Sequence, residues 1–178
     1  LKHLSTGDIF RGLAPSSESG KLMASYTSKG LLVPDEATVE IFGRYVAGLV
    51  NTNKLNPEKD VLLLDGIPRT VEQVKLIEDI VDVKHIFVLD IQDEATIVAR
   101  LLNRAKIEGR KDDADENVIK NRLKVYKEST AKVLSKYSKK IITHVVGDNT
   151  PDEVFCDVLK AYVDFCKASA PKAKKAPA

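Results

Sequence analysis

Six arginines, Arg11, Arg69, Arg100, Arg104, Arg110 and Arg122, sit at loop ends or on helix faces beside them. Arginine suits planar, two-pronged contact with phosphate oxygens, because its guanidinium stays charged and its donors form a fixed fork. Arg100 and Arg104 are four apart in one helical pattern, so both project from one face. Arg110 follows Gly109 and precedes Asp112-Asp113, which makes a short, flexible, charged loop. A lone surface arginine commonly does no more than solvate a helix. Six of them, grouped at strand ends and loops, point to a phosphorylated substrate.

The elements that must hold these side chains follow from hydrophobic patterning. Val61-Leu62-Leu63-Leu64, ending in Asp65-Gly66, reads as a strand buried on both faces. Residues 85–90 and 141–147 are two more runs of the same kind. Helical patterns lie at about 70–81, 93–105, 115–138 and 151–166, the last with Thr150 as N-cap and Pro151 at the first helical position. Strands alternating with helices predict a parallel sheet with crossovers, whose chemistry sits at the carboxyl ends of the strands. Asp65 and its neighbours occupy one such end. Residues 7–50 read as helical segments joined by turns at 14–17 and 29–30, and Asn51–Lys59 as a loop.

Composition narrows the class. The chain has 178 residues, 43% hydrophobic and 30% charged, which suits one compact α/β domain. No apolar run approaches the roughly 18 residues of a membrane span, and no signal peptide opens the chain. Cys156 and Cys166 are too few for a disulfide scaffold or a four-ligand zinc site, which points to a reducing, cytoplasmic setting. The net charge is +2, but the last twelve residues hold four lysines and no acid. Residues 1–166 are therefore mildly acidic, and bulk nucleic-acid binding loses support. The tail over 167–178 is low-complexity and basic and is expected to be disordered. Residue 1 is Leu, so the chain reads as processed or as the back portion of something longer.

Several blocks together resemble adenylate kinase, the nucleoside-monophosphate kinase family in its short-lid form. They are Ser5-Thr6-Gly7-Asp8 with Arg11, Gly30 through Glu36, and Leu64 through Thr70 with Gln73. Arg100-Leu101-Leu102-Asn103-Arg104, Gly109 through Asp113, and Arg122-Leu123 follow in the family's order and spacing. The resemblance implies a P-loop NTPase-like three-layer α/β/α fold over residues 1–166. It also implies an AMP-binding subdomain at about 5–33 and a lid at about 103–113.

The implied reaction is ATP + AMP ⇌ 2 ADP with Mg²⁺, in a cytoplasmic monomer with ATP, AMP and ADP as ligands and no nucleic acid or membrane partner. Thr6, Arg11 and the backbone of Leu31, Leu32 and Val33 match the AMP clamp. Gly66, Ile67, Pro68 and Arg69 pass under the AMP phosphate, and Gln73 offers a donor and an acceptor to an adenine edge. Arg104 and Arg110 flank the lid, with Arg100 and Arg122 completing the cage. Arg110 and Arg122 also serve the AMP side, and Arg100, Arg104 and Asn149 the ATP side. Asp65 is implied to hold Mg²⁺ through water, and Asp112 and Asp113 to latch the lid. Relatives that prefer UMP or CMP tend to carry Ala at the position of Thr6 and Asn at those of Thr70 and Gln73, so the pattern here is the AMP-selective one. The short lid has no cysteine cluster, so zinc is not expected.

The chain departs from the family at its start. It contains no G-x-x-x-x-G-K-[ST] loop, and Ser19-Gly20-Lys21 lacks the first glycine and a preceding strand. The resemblance therefore predicts a missing first, central strand, phosphate loop and first helix. The strands at 61–65 and 85–90 would then stand roughly 10 Å apart, to re-pair or to leave apolar edges exposed. On this reading the chain as given is weakly active or inactive. The alternatives are a non-catalytic AMP-binding paralogue and a UMP/CMP kinase.

Overall fold

The structure is a computed structural model that describes residues 1–110 and 115–169. The fold is mixed α/β with parallel strands. Where the sequence suggests one domain, the described residues form two compact units: those within Leu1–Asp82 and Val98–Tyr137, and those within Val83–Ile97 and Ser138–Ser169.

In the first unit, β1 (Lys2–Ser5) runs straight into α1 (Thr6–Arg11), with Ser5 accepting from the Asp8 N–H as N-cap. β1 pairs in parallel with β2 (Leu62–Asp65), Leu4 opposite Leu64 and Ser5 opposite Asp65. That register brings the carboxyl ends of both strands to one level. The 7–50 stretch holds α2 (Glu18–Thr27), capped by Ser17, and α3 (Asp35–Asn51) after Pro34. Phe42 and Val39 of α3 pack with Leu4, Ile67 and Ile77 as the core.

α4 (Val71–Ile77) is capped by Thr70, whose hydroxyl accepts from the Gln73 N–H. It is shorter than the 70–81 pattern, because the N–H groups of Ile80 and Val81 both fold back onto the Ile77 carbonyl. The 115–138 pattern divides as well. α6 (Glu116–Glu128), capped by Asp115, ends at Ser129, and a 3₁₀ segment follows over Thr130–Lys136. Thr130 is bound to Arg69 of the β2–α4 turn, which draws the chain off the helix axis.

In the second unit, β3 (Ile86–Asp90) pairs in parallel with β4 (Ile142–Val146), Ile86 opposite Ile142. α5 (Glu94–Glu108) starts here, Asp93 accepting from the N–H groups of Ala95 and Thr96, and continues into the first unit's residues before ending at Gly109. α7 (Pro151–Ser169) opens on a reciprocal cap: Glu153 Oε2 accepts from the Thr150 N–H at 2.9 Å. It runs three residues past 166.

The expectation that the strands are buried on both faces fails. Leu63 is 41% and Leu89 52% exposed, and the strands form two separate pairs. Among the described residues, no helix is long and apolar enough to cross a membrane.

Candidate active site

The site grows from the shared carboxyl end of β1 and β2. Thr6 is buried, and its Oγ1 donates to the Asp65 carbonyl at 3.3 Å. The chain then turns at Gly66, whose φ of +84° suits glycine. A Cβ there would lie 2.5 Å from Thr6 Oγ1 and 3.0 Å from Arg69 Nη2, so the backbone must be bare. The Ile67–Pro68 peptide is cis.

Arg69 is held along its whole length. Its Nε donates to the Gly66 carbonyl at 2.9 Å, its N–H donates to Gln73 Oε1 at 2.7 Å, and its carbonyl accepts from Thr130 Oγ1 at 3.0 Å. Burial holds its pKa below the usual arginine value. The guanidinium groups of Arg122 and Arg104 push in the same direction, and the Asp65 carboxylate opposes them. Three of the six arginines thus share one neighbourhood.

Arg11 pairs with the Asp8 carboxylate, and the charge of Arg110 is felt there as well. Arg11 also lies over Gly7, where a Cβ would sit 3.1 Å from both Nη atoms. The Arg11 hydrogen bond, more than any other contact, holds Asp8 below the usual carboxylate range. Desolvation, the next-largest effect, works against it, and the charges of Arg11, Arg110 and His3 add smaller shifts in the same downward direction. Arg110 also pairs with Glu108. Arg100 stands one turn before Arg104 on α5.

The loop before α3 is seated on α6. Gly30, at φ +67°, approaches so closely that a Cβ would meet the Val118 carbonyl at 2.6 Å and Arg122 Cγ at 3.0 Å. Asn121 Nδ2 donates to the Lys29 carbonyl at 2.7 Å. Leu31 is exposed, Leu32 half-buried and Val33 buried.

Gln73, one turn into α4, is 1% exposed, and its carboxamide is already engaged. Oε1 takes the Arg69 N–H, and Nε2 donates to Asp35 Oδ1 at 2.9 Å. Asp35 and Thr130 carry no role in the sequence reading. Their partners lie 35, 38 and 61 residues away, so no local spacing signals them.

Of the remaining expected residues, Asn149 falls in the second unit, in the turn between β4 and α7. Asp112 and Asp113 lie outside the described residues. Asp65 presents an exposed carboxylate at the end of β2. Among the described residues, no group of three or more His, Cys, Asp or Glu side chains could hold a metal ion by itself. A cavity of about 1050 Å³ lies in the second unit beside His85, Thr143 and Phe165, and one of about 630 Å³ lies along α1 and α3. Neither is lined by any of the six arginines. For an anionic substrate the converging guanidinium groups are the stronger guide, since cavity size says nothing about charge.

The adenylate kinase family model matches residues 1–142. The adenylate kinase of Porphyromonas gingivalis is 34% identical over 175 residues, spanning 95% of this chain and 86% of that protein. That of Flavobacterium psychrophilum is 37% identical over 161 residues, 86% of this chain and 80% of its own. That of a Synechococcus species is 33% identical over 173 residues, 94% and 85% respectively.

Proposed function

The chain belongs to the adenylate kinase family, and on that premise we propose that it transfers a phosphoryl group reversibly between ATP and AMP, giving two ADP. The observation that carries the reading is that Arg69, fixed in the β2–α4 turn by three hydrogen bonds, lies within electrostatic reach of Arg104 and Arg122. Like charges brought together out of water repel, and an anion between them relieves that cost.

The AMP-binding part spans about residues 5–33 together with the β2–α4 turn. There Arg69, held above Gly66, Ile67 and Pro68, grips the AMP phosphate. Thr6 and Arg11 flank it, and the backbone of Leu31, Leu32 and Val33 receives the nucleoside. Gln73 reads the base, in favour of AMP over UMP or CMP.

Arg104 and Arg110 border the lid at about 103–113 and neutralise charge on the transferring group, with Arg100 and Arg122 beside them. Phosphoryl transfer asks little covalent chemistry of a protein, so position and charge supply most of the rate. Arg100, Arg104 and Asn149 serve ATP, and Asp112 and Asp113 latch the lid.

Asp65 offers one exposed carboxylate and no multi-ligand cluster surrounds it among the described residues. This fits Mg²⁺, which keeps its waters and takes most other ligands from phosphates. The ion, when bound, neutralises phosphate charge, and Asp65 holds it through water. The reading places the chain in the cytoplasm as a monomer, with Cys156 and Cys166 as free, exposed thiols.

Calorimetric titration of AMP and CMP, paired with a coupled assay of ADP production in protein that carries the family's phosphate loop ahead of β1, tests the reading. Binding and turnover of AMP ahead of CMP are expected. Equal or better use of CMP overturns the base assignment, and absence of AMP binding overturns the functional one.

A further inference from the structure

Asp35 stands in the first turn of α3, half-buried, and its Oδ1 accepts two hydrogen bonds. One comes from Thr70 Oγ1 and one from Gln73 Nε2, each at 2.9 Å. The Thr70 hydroxyl also accepts from the Gln73 N–H at 3.0 Å, so its proton is committed to Asp35. On the other side of the carboxamide, Gln73 Oε1 accepts from the Arg69 N–H at 2.7 Å. Chemistry decides the direction of this amide. A carboxylate can only accept and a main-chain N–H can only donate, so Nε2 must face Asp35 and Oε1 must face Arg69. Turned over, the amide would set oxygen against carboxylate and NH₂ against N–H, leaving both partners unmatched in a buried place.

Each atom of the amide retains one hydrogen-bonding position: a second N–H on Nε2 and a second lone pair on Oε1. We propose that Asp35 is a positioning residue that locks the Gln73 carboxamide, and through it sets the preference for a 6-amino over a 6-oxo purine. The proposal rests on the reading above that Gln73 faces the base. A donor beside an acceptor in fixed order satisfies adenine, whose N1 accepts and whose 6-amino group donates. A 6-oxo purine offers N1–H and O6, the reverse pair, and meets donor with donor and acceptor with acceptor. It could be received only by turning the amide, and Asp35 forbids the turn.

The test titrates AMP and IMP into the full chain and into Asp35→Asn by calorimetry. The substitution replaces the carboxylate by a neutral amide oxygen and leaves the Arg69 N–H in place, so the lock weakens without loss of shape. The wild type should favour AMP over IMP by at least about 100-fold, as expected when buried polar groups are left unpaired. In Asp35→Asn that ratio should fall about tenfold or more, with AMP affinity kept within about threefold. A merely structural role would weaken both ligands alike, and an unchanged ratio overturns the proposal. The wild type also supplies a ligand-free readout. The Gln73 side-chain NH₂ should exchange its protons with solvent far more slowly than an exposed glutamine amide by ¹⁵N NMR, and exchange at the exposed-amide rate overturns the lock. Failure of the wild type to bind AMP, with the Gln73 signals as expected, would instead overturn the functional reading on which the base preference rests.

Discussion

Thr6 and Gly66 approach so closely that a single added carbon would force them apart: a Cβ on Gly66 would lie 2.5 Å from Thr6 Oγ1. The two residues stand directly after the paired ends of β1 and β2, where Ser5 lies opposite Asp65. Gly66→Ala combines this clash with a φ of +84°. It should destabilise the protein by about 1–3 kcal/mol in denaturant unfolding. AMP binding should weaken as well, since Arg69 Nη2 lies 3.0 Å from the same point. Gly48, in α3 with nothing within 4 Å of its Cβ position, is the control, and Gly48→Ala should stabilise by about 0.5–1 kcal/mol.

Thr130→Val keeps the shape of the side chain and removes the 3.0 Å bond to the Arg69 carbonyl. A loss of about 1 kcal/mol is expected from the chemical unfolding midpoint. Calorimetry should show weaker AMP binding too, because this bond helps fix the turn that carries the Arg69 guanidinium. Undiminished affinity would mean that the Arg69 side chain is positioned without it.

In protein that carries the family's phosphate loop ahead of β1, Arg104→Ala and Arg110→Ala should lower kcat far more than they raise the KM for AMP. Contacts that strengthen only as charge develops in the transition state behave this way. The loss of an arginine of this type can reach on the order of 10³-fold. Steady-state kinetics at saturating AMP decides it, and a near-normal kcat in either variant removes that arginine from the lid.

His85 in the second unit is flanked by Phe87 at 4.8 Å and Phe165 at 4.5 Å, with Nε2 2.9 Å from Thr143 Oγ1. Burial holds its pKa below the ordinary 6.5. Below pH 6.5 the unfolded chain therefore takes up a proton that the folded form resists. Stability from this group is full above pH 6.5 and is lost as pH falls through the folded value. The melting temperature should decline between pH 7 and pH 5.5, and His85→Phe should flatten the profile in that window. Parallel profiles for the two proteins would exclude His85 as the source.

Where partners lie close along the chain, the amino-acid sequence was sufficient. Thr150 and Glu153 cap α7 across three residues, and Thr150-Pro151 marks the start of that helix without outside help. The apolar runs of β2, β3 and β4 stand out for the same reason. β1 is different. It has four residues with only Leu4 buried, and it exists because Leu62–Asp65 lies alongside, some sixty residues away. The end of α6 at Ser129 is likewise beyond the local pattern, since Thr130 is tied to the turn at Arg69. Tertiary structure alone decided which charges feel one another: those of Arg104 and Arg122 at Arg69, and those of Arg11 and Arg110 at Asp8. It also decided that Gln73 is bound to Asp35 and Arg69. Hydrogen-bond direction and charge repulsion depend on distances of a few ångströms, and positions 38 or 61 residues apart reach such distances only when the chain has folded.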